Sequence, residues 1–298
     1  MDSPLVIGLD VGGTKVLSGL VDRAGRVHAD REIPTPDGSE EVVLRTLDAA
    51  VEEFLDDGVA IGYGIPASLE RGTGRILRAM NLPLDDVDLL TRSRERFGLP
   101  VGIENDASAA TLAEWRLGAG RGSDNLVMLT LGTGVGGGVV LDGRLFRGWA
   151  ELGHVVVQEG GPECTCGGHG HLESLASGNA ADRAAHALYG EGADARVLVD
   201  RARDGEDDAV EALARIGASL GAAIGSLVNI FDPELTVVGG GFGSAAGDLI
   251  LEPARTAARS EVIPPARESL RIVPAELGSE AGLVGSALVA FDALDGTR

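Results

Sequence analysis

The sequence holds only two cysteines, Cys164 and Cys166, one residue apart. So few thiols exclude a disulfide framework and suit a metal site in a reducing compartment. Positive charge is scarce too: 25 Lys and Arg stand against 46 Asp and Glu, a formal charge of −21 over 298 residues. A field of that sign repels polyanions and argues against nucleic acid as a partner. It also requires any anionic ligand to be held locally, by backbone N–H groups and metal ions. Neither a cationic leader nor an apolar run long enough to cross a bilayer is evident, so a cytoplasmic chain with no membrane partner is expected. A G-x-x-x-x-G-K-[ST] stretch is also missing, which argues against a P-loop enzyme.

With 44% apolar residues the chain can bury a large core, as one α/β domain or as two smaller lobes, and two lobes are expected. Leu5–Leu9 reads as a buried strand, Asp10–Thr14 as a tight turn and Lys15–Val21 as the returning strand. The spacing of Val43, Leu47, Val51 and Phe54 predicts a helix over Glu40–Leu55, followed by strands at Ala60–Ile65 and Val101–Ile103 and a helix over Ala107–Leu117. The pattern then restarts with a strand at Leu126–Leu131, a glycine turn at Gly132–Gly138 and a return strand at Val139–Leu141, which suggests a duplicated lobe. A polar loop over Gly148–Gly170, helices within Gly178–Ile230, a strand at Leu235–Val238, a helix from about Ser244 and a closing helix over Ser279–Leu294 complete the reading. Without a Ser/Pro linker, the hinge is expected near Leu117–Asp124. That gives an N-terminal lobe over 1–117, a C-terminal lobe over 118–278, and a closing segment, about 279–298, packed back on the first.

Gly132, Gly134 and Gly137 match G-x-G-x-x-G, but a dinucleotide fold needs a helix after the turn and a strand follows here. What remains is a pair of glycine-tipped hairpins, which are either plain tight turns or cradles whose N–H groups approach phosphate oxygens. In the second reading Gly12, Gly13, Gly132, Thr133, Gly134 and Gly137 line the cradles. Asp10 then meets Mg2+ directly or through water, and Thr14 and Lys15 reach phosphate oxygens. Gly240 and Gly241, between a strand and a helix, allow a flat group such as adenine to lie against backbone, or form an ordinary turn.

Glu104-Asn105-Asp106 joins a strand to a helix. A carboxylate there is either a helix cap or, kept ionised by the helix start, a general base for a hydroxyl proton. Three of the five histidines fall beside the cysteines. His154, Cys164, Cys166 and His171 offer two imidazoles and two thiolates for a tetrahedral Zn2+, a closed structural set that would pin the loop carrying Glu151 and Glu173.

Taken together, Gly8–Lys15, Glu104–Ala107, Leu131–Gly138, Glu151–His154 and Cys164–Glu173 resemble the ROK family of sugar kinases and repressors over nearly the whole chain. The resemblance implies a two-lobe actin-like ATPase (ribonuclease-H-like) fold of α/β class, with ATP and a hexose in an interlobe active-site cleft. It implies phosphorylation of glucose at O6, with N-acetylglucosamine, N-acetylmannosamine, fructose, mannose and allose as other acceptors and polyphosphate as another donor. It further implies Asp106 as the base, Asn105, Asp106, Glu151, His154 and Glu173 on the sugar, and a homodimer or dimer of dimers. Where the family has a third zinc cysteine, this sequence has His171; Ala67 replaces a common glycine, and no Trp follows Asn81-Leu82. A sugar-responsive regulator is the rival reading, opposed by the charge and by the short stretch ahead of the first strand.

Overall fold

The computed structural model describes residues 4–296; the outermost residues of the expected segments 1–117 and 279–298 lie outside the described residues. The chain divides into two compact units, Met1–Gly118 with Arg147–Trp149 and Ser279–Arg298, and Ala119–Phe146 with Ala150–Gly278. Both are α/β, and their sheets share one plan.

The first unit has strands β1 (Leu5–Val11), β2 (Lys15–Val21), β3 (Val27–Pro34) and β4 (Gly58–Ile65), a small ribbon of β5 (Ala67–Leu69) and β6 (Ile76–Ala79), and β7 (Val101–Asn105). Its five-stranded sheet has the order β3-β2-β1-β4-β7, antiparallel along the hairpins and parallel from β1 through β4 to β7. Helices α1 (Glu40–Glu52), α2 (Leu89–Phe97) and α3 (Asp106–Arg116) alternate with the strands. Side chains alternate across the sheet: Ile7, Leu9, Ile61 and Tyr63 join the cluster with Val43 and Leu47 of α1.

The opposite face presents Gly8, Gly62 and Gly102, where the C-terminal helix lies almost on bare backbone. A Cβ at Gly8 would stand 2.7 Å from the Leu283 carbonyl oxygen, and one at Gly102 2.6 Å from that of Val289. At Gly62 it would collide with the Ser286 carbonyl oxygen and reach 2.7 Å from Ala290 N. Gly62→Ala is therefore expected to destabilise the first unit by about 3 kcal/mol, because backbone atoms cannot turn aside as a side chain does; urea unfolding checks this.

The second unit repeats the plan with β8 (Leu126–Leu131), β9 (Val135–Leu141), β10 (Arg144–Leu145), β11 (Leu235–Gly239) and β12 (Ile272–Pro274), in the order β10-β9-β8-β11-β12. Again two antiparallel pairings flank β8 on one side and two parallel pairings follow on the other. The helices are α4 (Leu172–Ala176), α5 (Gly178–Tyr189), α6 (Ala195–Arg203), α7 (Asp207–Phe231), α8 (Gly241–Ala246), α9 (Asp248–Glu261) and α10 (Ala266–Ser269), and α11 (Ala281–Leu294) is the helix that closes the first unit.

Three sequence expectations are corrected here. The return strand starts at Val135, because Gly136–Gly138 pair in register with Thr130–Met128. The helix expected from Ser244 is two helices, broken at Gly247 with φ +52°. An apolar helix of membrane-spanning length does exist in α7, 25 residues long. Leu213, Leu220, Ile224 and Leu227 of that helix are buried in the core of the unit, as in a central helix of a globular domain.

Candidate active site and metal centre

In the first unit the expected residues gather at the carboxyl ends of the parallel strands, the usual ligand edge of such sheets. Asp10 is near the end of β1, and Asn105 ends β7 with Asp106 next in the chain. Gly12 N–H donates to the Lys15 carbonyl at 2.8 Å and closes the turn, while the Thr35 hydroxyl donates to the Gly12 carbonyl at 2.7 Å and braces it. Gly13 packs on Asn81, whose Cβ would lie 3.1 Å from an added Cβ. Thr35 was missed in the sequence, because its role rests on a contact across the chain, whereas Asn81 belongs to the Asn-Leu pair noted there. The Lys15 ammonium lowers the Asp10 pKa but pairs directly with Glu32, in an exposed ion pair at 2.6 Å.

The helix cap is Asn105, whose Oδ1 accepts from Ser108 N–H at 3.1 Å; Asp106 is the first helical residue, with Oδ1 accepting from Ala107 N–H at 2.8 Å. Capping therefore does not account for Asp106. Its carboxylate acts on Asp10: burial first, then the charge of Asp106, raises the Asp10 pKa from 3.8 to about 6, against a lowering by Lys15. Gly282, in the first turn of α11, makes the space for this group, since a Cβ there would strike the Asp10 carboxylate.

A carboxyl whose folded pKa lies above its unfolded value supports the fold when protonated. That support is complete below about pH 4 and lost as pH rises through about 6. Asp10→Asn should therefore be more stable than the wild-type chain at pH 8, by on the order of 2 kcal/mol, with the gap closing toward pH 4. Urea unfolding without divalent metal at the two pH values measures it. Two neighbouring carboxylates also offer oxygen ligands suited to a divalent cation such as Mg2+, which Asp10 could hold.

In the second unit Gly132 N–H donates to the Gly134 carbonyl at 3.0 Å, so Gly132-Thr133-Gly134 forms the turn between β8 and β9. Space around Gly132 is open, whereas Gly134 has no room for a Cβ against Glu173. Gly137 sits apart from the turn, inside β9, where a Cβ would meet the Met128 carbonyl oxygen at 2.7 Å. A Cβ added at Gly240, which has φ +85°, would stand 2.5 Å from the Leu131 backbone N and O, and Gly241 faces open space.

His154, Cys164, Cys166 and His171 converge, with ligand atoms all within 4.8 Å of one another. Cys166 Sγ is 3.2 Å from His171 Nδ1, and the two imidazole rings meet edge to face at 5.4 Å. His154 Nδ1 is buried without a hydrogen-bond partner, 3.5 Å from Glu151 Oε2. Burial foremost, opposed by a backbone hydrogen bond at Cys166 and aided by the Cys166 side chain and the charge of Glu173, pushes the Cys164 thiol up. A soft two-thiolate, two-imidazole set with an orphaned nitrogen fits Zn2+. Glu173, in the first turn of α4, accepts from Val135 N–H and from the Thr165 hydroxyl, each at 3.0 Å.

Comparison with known proteins agrees with these motifs. Residues 6–293 match the ROK family. The glucokinase of Thermotoga maritima is 36% identical over 98% of both chains. The N-acetylmannosamine kinase of Shigella flexneri is 32% identical over 96% of this chain and 98% of its own. The crystal structure of a ROK family glucokinase from Streptomyces griseus, in complex with glucose and AMPPNP, superposes with a TM-score of 0.86 at 35% identity, covering 97% of this chain and 99% of that one. With its paired mixed sheets, its two glycine turns and its His/Cys cluster, the chain belongs to the ROK family.

Proposed function

We propose that the chain is a cytoplasmic, ATP-dependent hexose kinase that phosphorylates glucose at O6. The observation that carries this reading is Asp106, not engaged as the helix cap, placed so near Asp10 that its charge raises the Asp10 pKa. One carboxylate then serves the acceptor hydroxyl and the other the cation of the donor. Similarity over nearly the full length to glucokinases of T. maritima and S. griseus supports glucose and ATP as the pair.

In this reading Asp106 takes the O6 proton as that oxygen bonds to the γ-phosphorus, the bond to the bridging oxygen breaks, and ADP leaves. Asn105, Glu151, His154 and Glu173 orient the sugar, with acceptor-only carboxylates suited to its hydroxyls. The Gly12 and Gly132 N–H groups close their own turns, so the N–H groups of Gly13, Thr14, Thr133 and Gly134 would receive phosphate oxygens, and Gly240 with Gly241 would border the adenine. Asp10 would hold Mg2+, which would supply positive charge against the phosphates. His154, Cys164, Cys166 and His171 would hold a structural Zn2+.

A coupled assay with Mg-ATP across a hexose panel is expected to show glucose-dependent ADP release; release with no sugar in the panel overturns the reading. The similarity to an N-acetylmannosamine kinase, together with Ala67 in a segment where the family commonly has glycine, favours N-acetylmannosamine as the second reading. A higher kcat/KM on that sugar than on glucose selects it.

A further inference from the structure

The metal loop and the second glycine turn meet at one residue, Val135, the first of β9. Glu173 Oε2 accepts the Val135 N–H at 3.0 Å, while Oε1 accepts the Thr165 hydroxyl at 3.0 Å and lies 3.6 Å from the Cys164 thiol. On the carbonyl side of Val135, Gly153, the neighbour of His154, packs so closely that a Cβ would strike the Val135 oxygen. Both polar groups of this one peptide position thus rest against residues next to, or two away from, candidate metal ligands. The other support of the turn is a helix start: Gly178 N–H donates to the Gly132 carbonyl at 2.7 Å and Asn179 N–H to that of Thr133 at 3.3 Å.

We propose that metal loading and nucleotide binding are linked through Glu173, a positioning residue that sets the Gly132–Gly134 turn from the metal loop. The inference rests on the reading of that turn as a phosphate cradle. A bound Zn2+ fixes His154, Cys164, Cys166 and His171 against one another, so Thr165 and Gly153 are fixed with them. Glu173, held by Thr165, then fixes the direction of the Val135 N–H, and the turn meets the phosphate chain already ordered. Without the metal the nucleotide must order the loop as it binds, and its affinity falls by that cost. Linkage is reciprocal, so the nucleotide must also tighten the metal.

The test is the rate at which Zn2+ passes from the loaded protein to a chromogenic chelator, with no sugar present, with and without Mg2+ and a non-hydrolysable ATP analogue. The analogue is expected to slow release by roughly five- to tenfold in the wild-type chain, and Glu173→Ala is expected to abolish the slowing. Should that variant fail to retain Zn2+, Thr165→Val, which removes one arm of the strut, is expected to reduce the slowing and to raise KM for ATP. Release that ignores an analogue shown to bind by calorimetry overturns the linkage. Slowing that persists in full in Glu173→Ala or Thr165→Val overturns the route through Glu173. Failure of the analogue to bind at all overturns the nucleotide reading of the turn, and this inference with it.

Discussion

Asp106→Asn is expected to lower kcat by about three orders of magnitude while KM for the sugar changes little, as when a positioned general base is lost without its shape. The amide keeps an oxygen for the Ala107 N–H that now holds Oδ1 at 2.8 Å, and the cap of α3 is untouched because Asn105 supplies it. Folding is therefore a clean control. Removing the Asp106 charge also takes away one of the causes that raise the Asp10 pKa, so the variant should be no less stable than wild type at neutral pH. Lost turnover with stability intact identifies chemistry; turnover near that of wild type removes Asp106 from the role of base.

The fold was legible where apolar periodicity and glycine coincide. The hairpins of β1 with β2 and of β8 with β9 carry nearly continuous buried runs on both sides of a glycine turn, and the restart of that pattern foretold the repeated sheet order. Elements with little apolar content did not show. β3, Val-His-Ala-Asp-Arg-Glu-Ile-Pro, is mostly exposed because it is an edge strand, and α2 buries only Leu89 and Ser93. Strand and turn were confused at Gly136–Gly138 because the run of glycines reads as a turn, whereas Gly137 is demanded by close packing on Met128 and Leu152 within the strand pairing.

The metal cluster was legible because three of its four members, Cys164, Cys166 and His171, are close in sequence, and its chemistry is one of residue type. Whether Asn105 or Asp106 caps α3 was not legible, since both residues favour that position and backbone geometry decides. Nor was the space that Gly282 leaves for Asp10, which depends on a helix more than 250 residues away in sequence meeting the end of β1. Glu173 drew notice as a carboxylate for hydroxyls; its hold on Val135 across the unit needed coordinates.

Cys164→Ala is expected to abolish metal retention and to destabilise the second unit by on the order of 4 kcal/mol, in the range typical of a lost structural metal. One zinc per chain should fall to none by elemental analysis, and the melting of that unit should drop by about 10 °C. Cys164 is the right probe because it is buried while Cys166 is exposed, so its replacement leaves no thiol able to take its place from solvent. The loop has few other means of holding its shape: backbone links from Cys164 to Gly168, from Gly170 to Pro162 and from Val157 to Gly170 tie it chiefly to itself. A set of two thiolates and two neutral imidazoles balances the charge of Zn2+, so losing one thiolate leaves the ion undercompensated as well as short of a donor. The same treatment of Cys166 should cost less stability, since its side chain is exposed, but should release the metal equally. Full zinc content in Cys164→Ala with unchanged melting would show that the cluster is incidental, and Glu173 would then be a brace between two loops with no metal behind it.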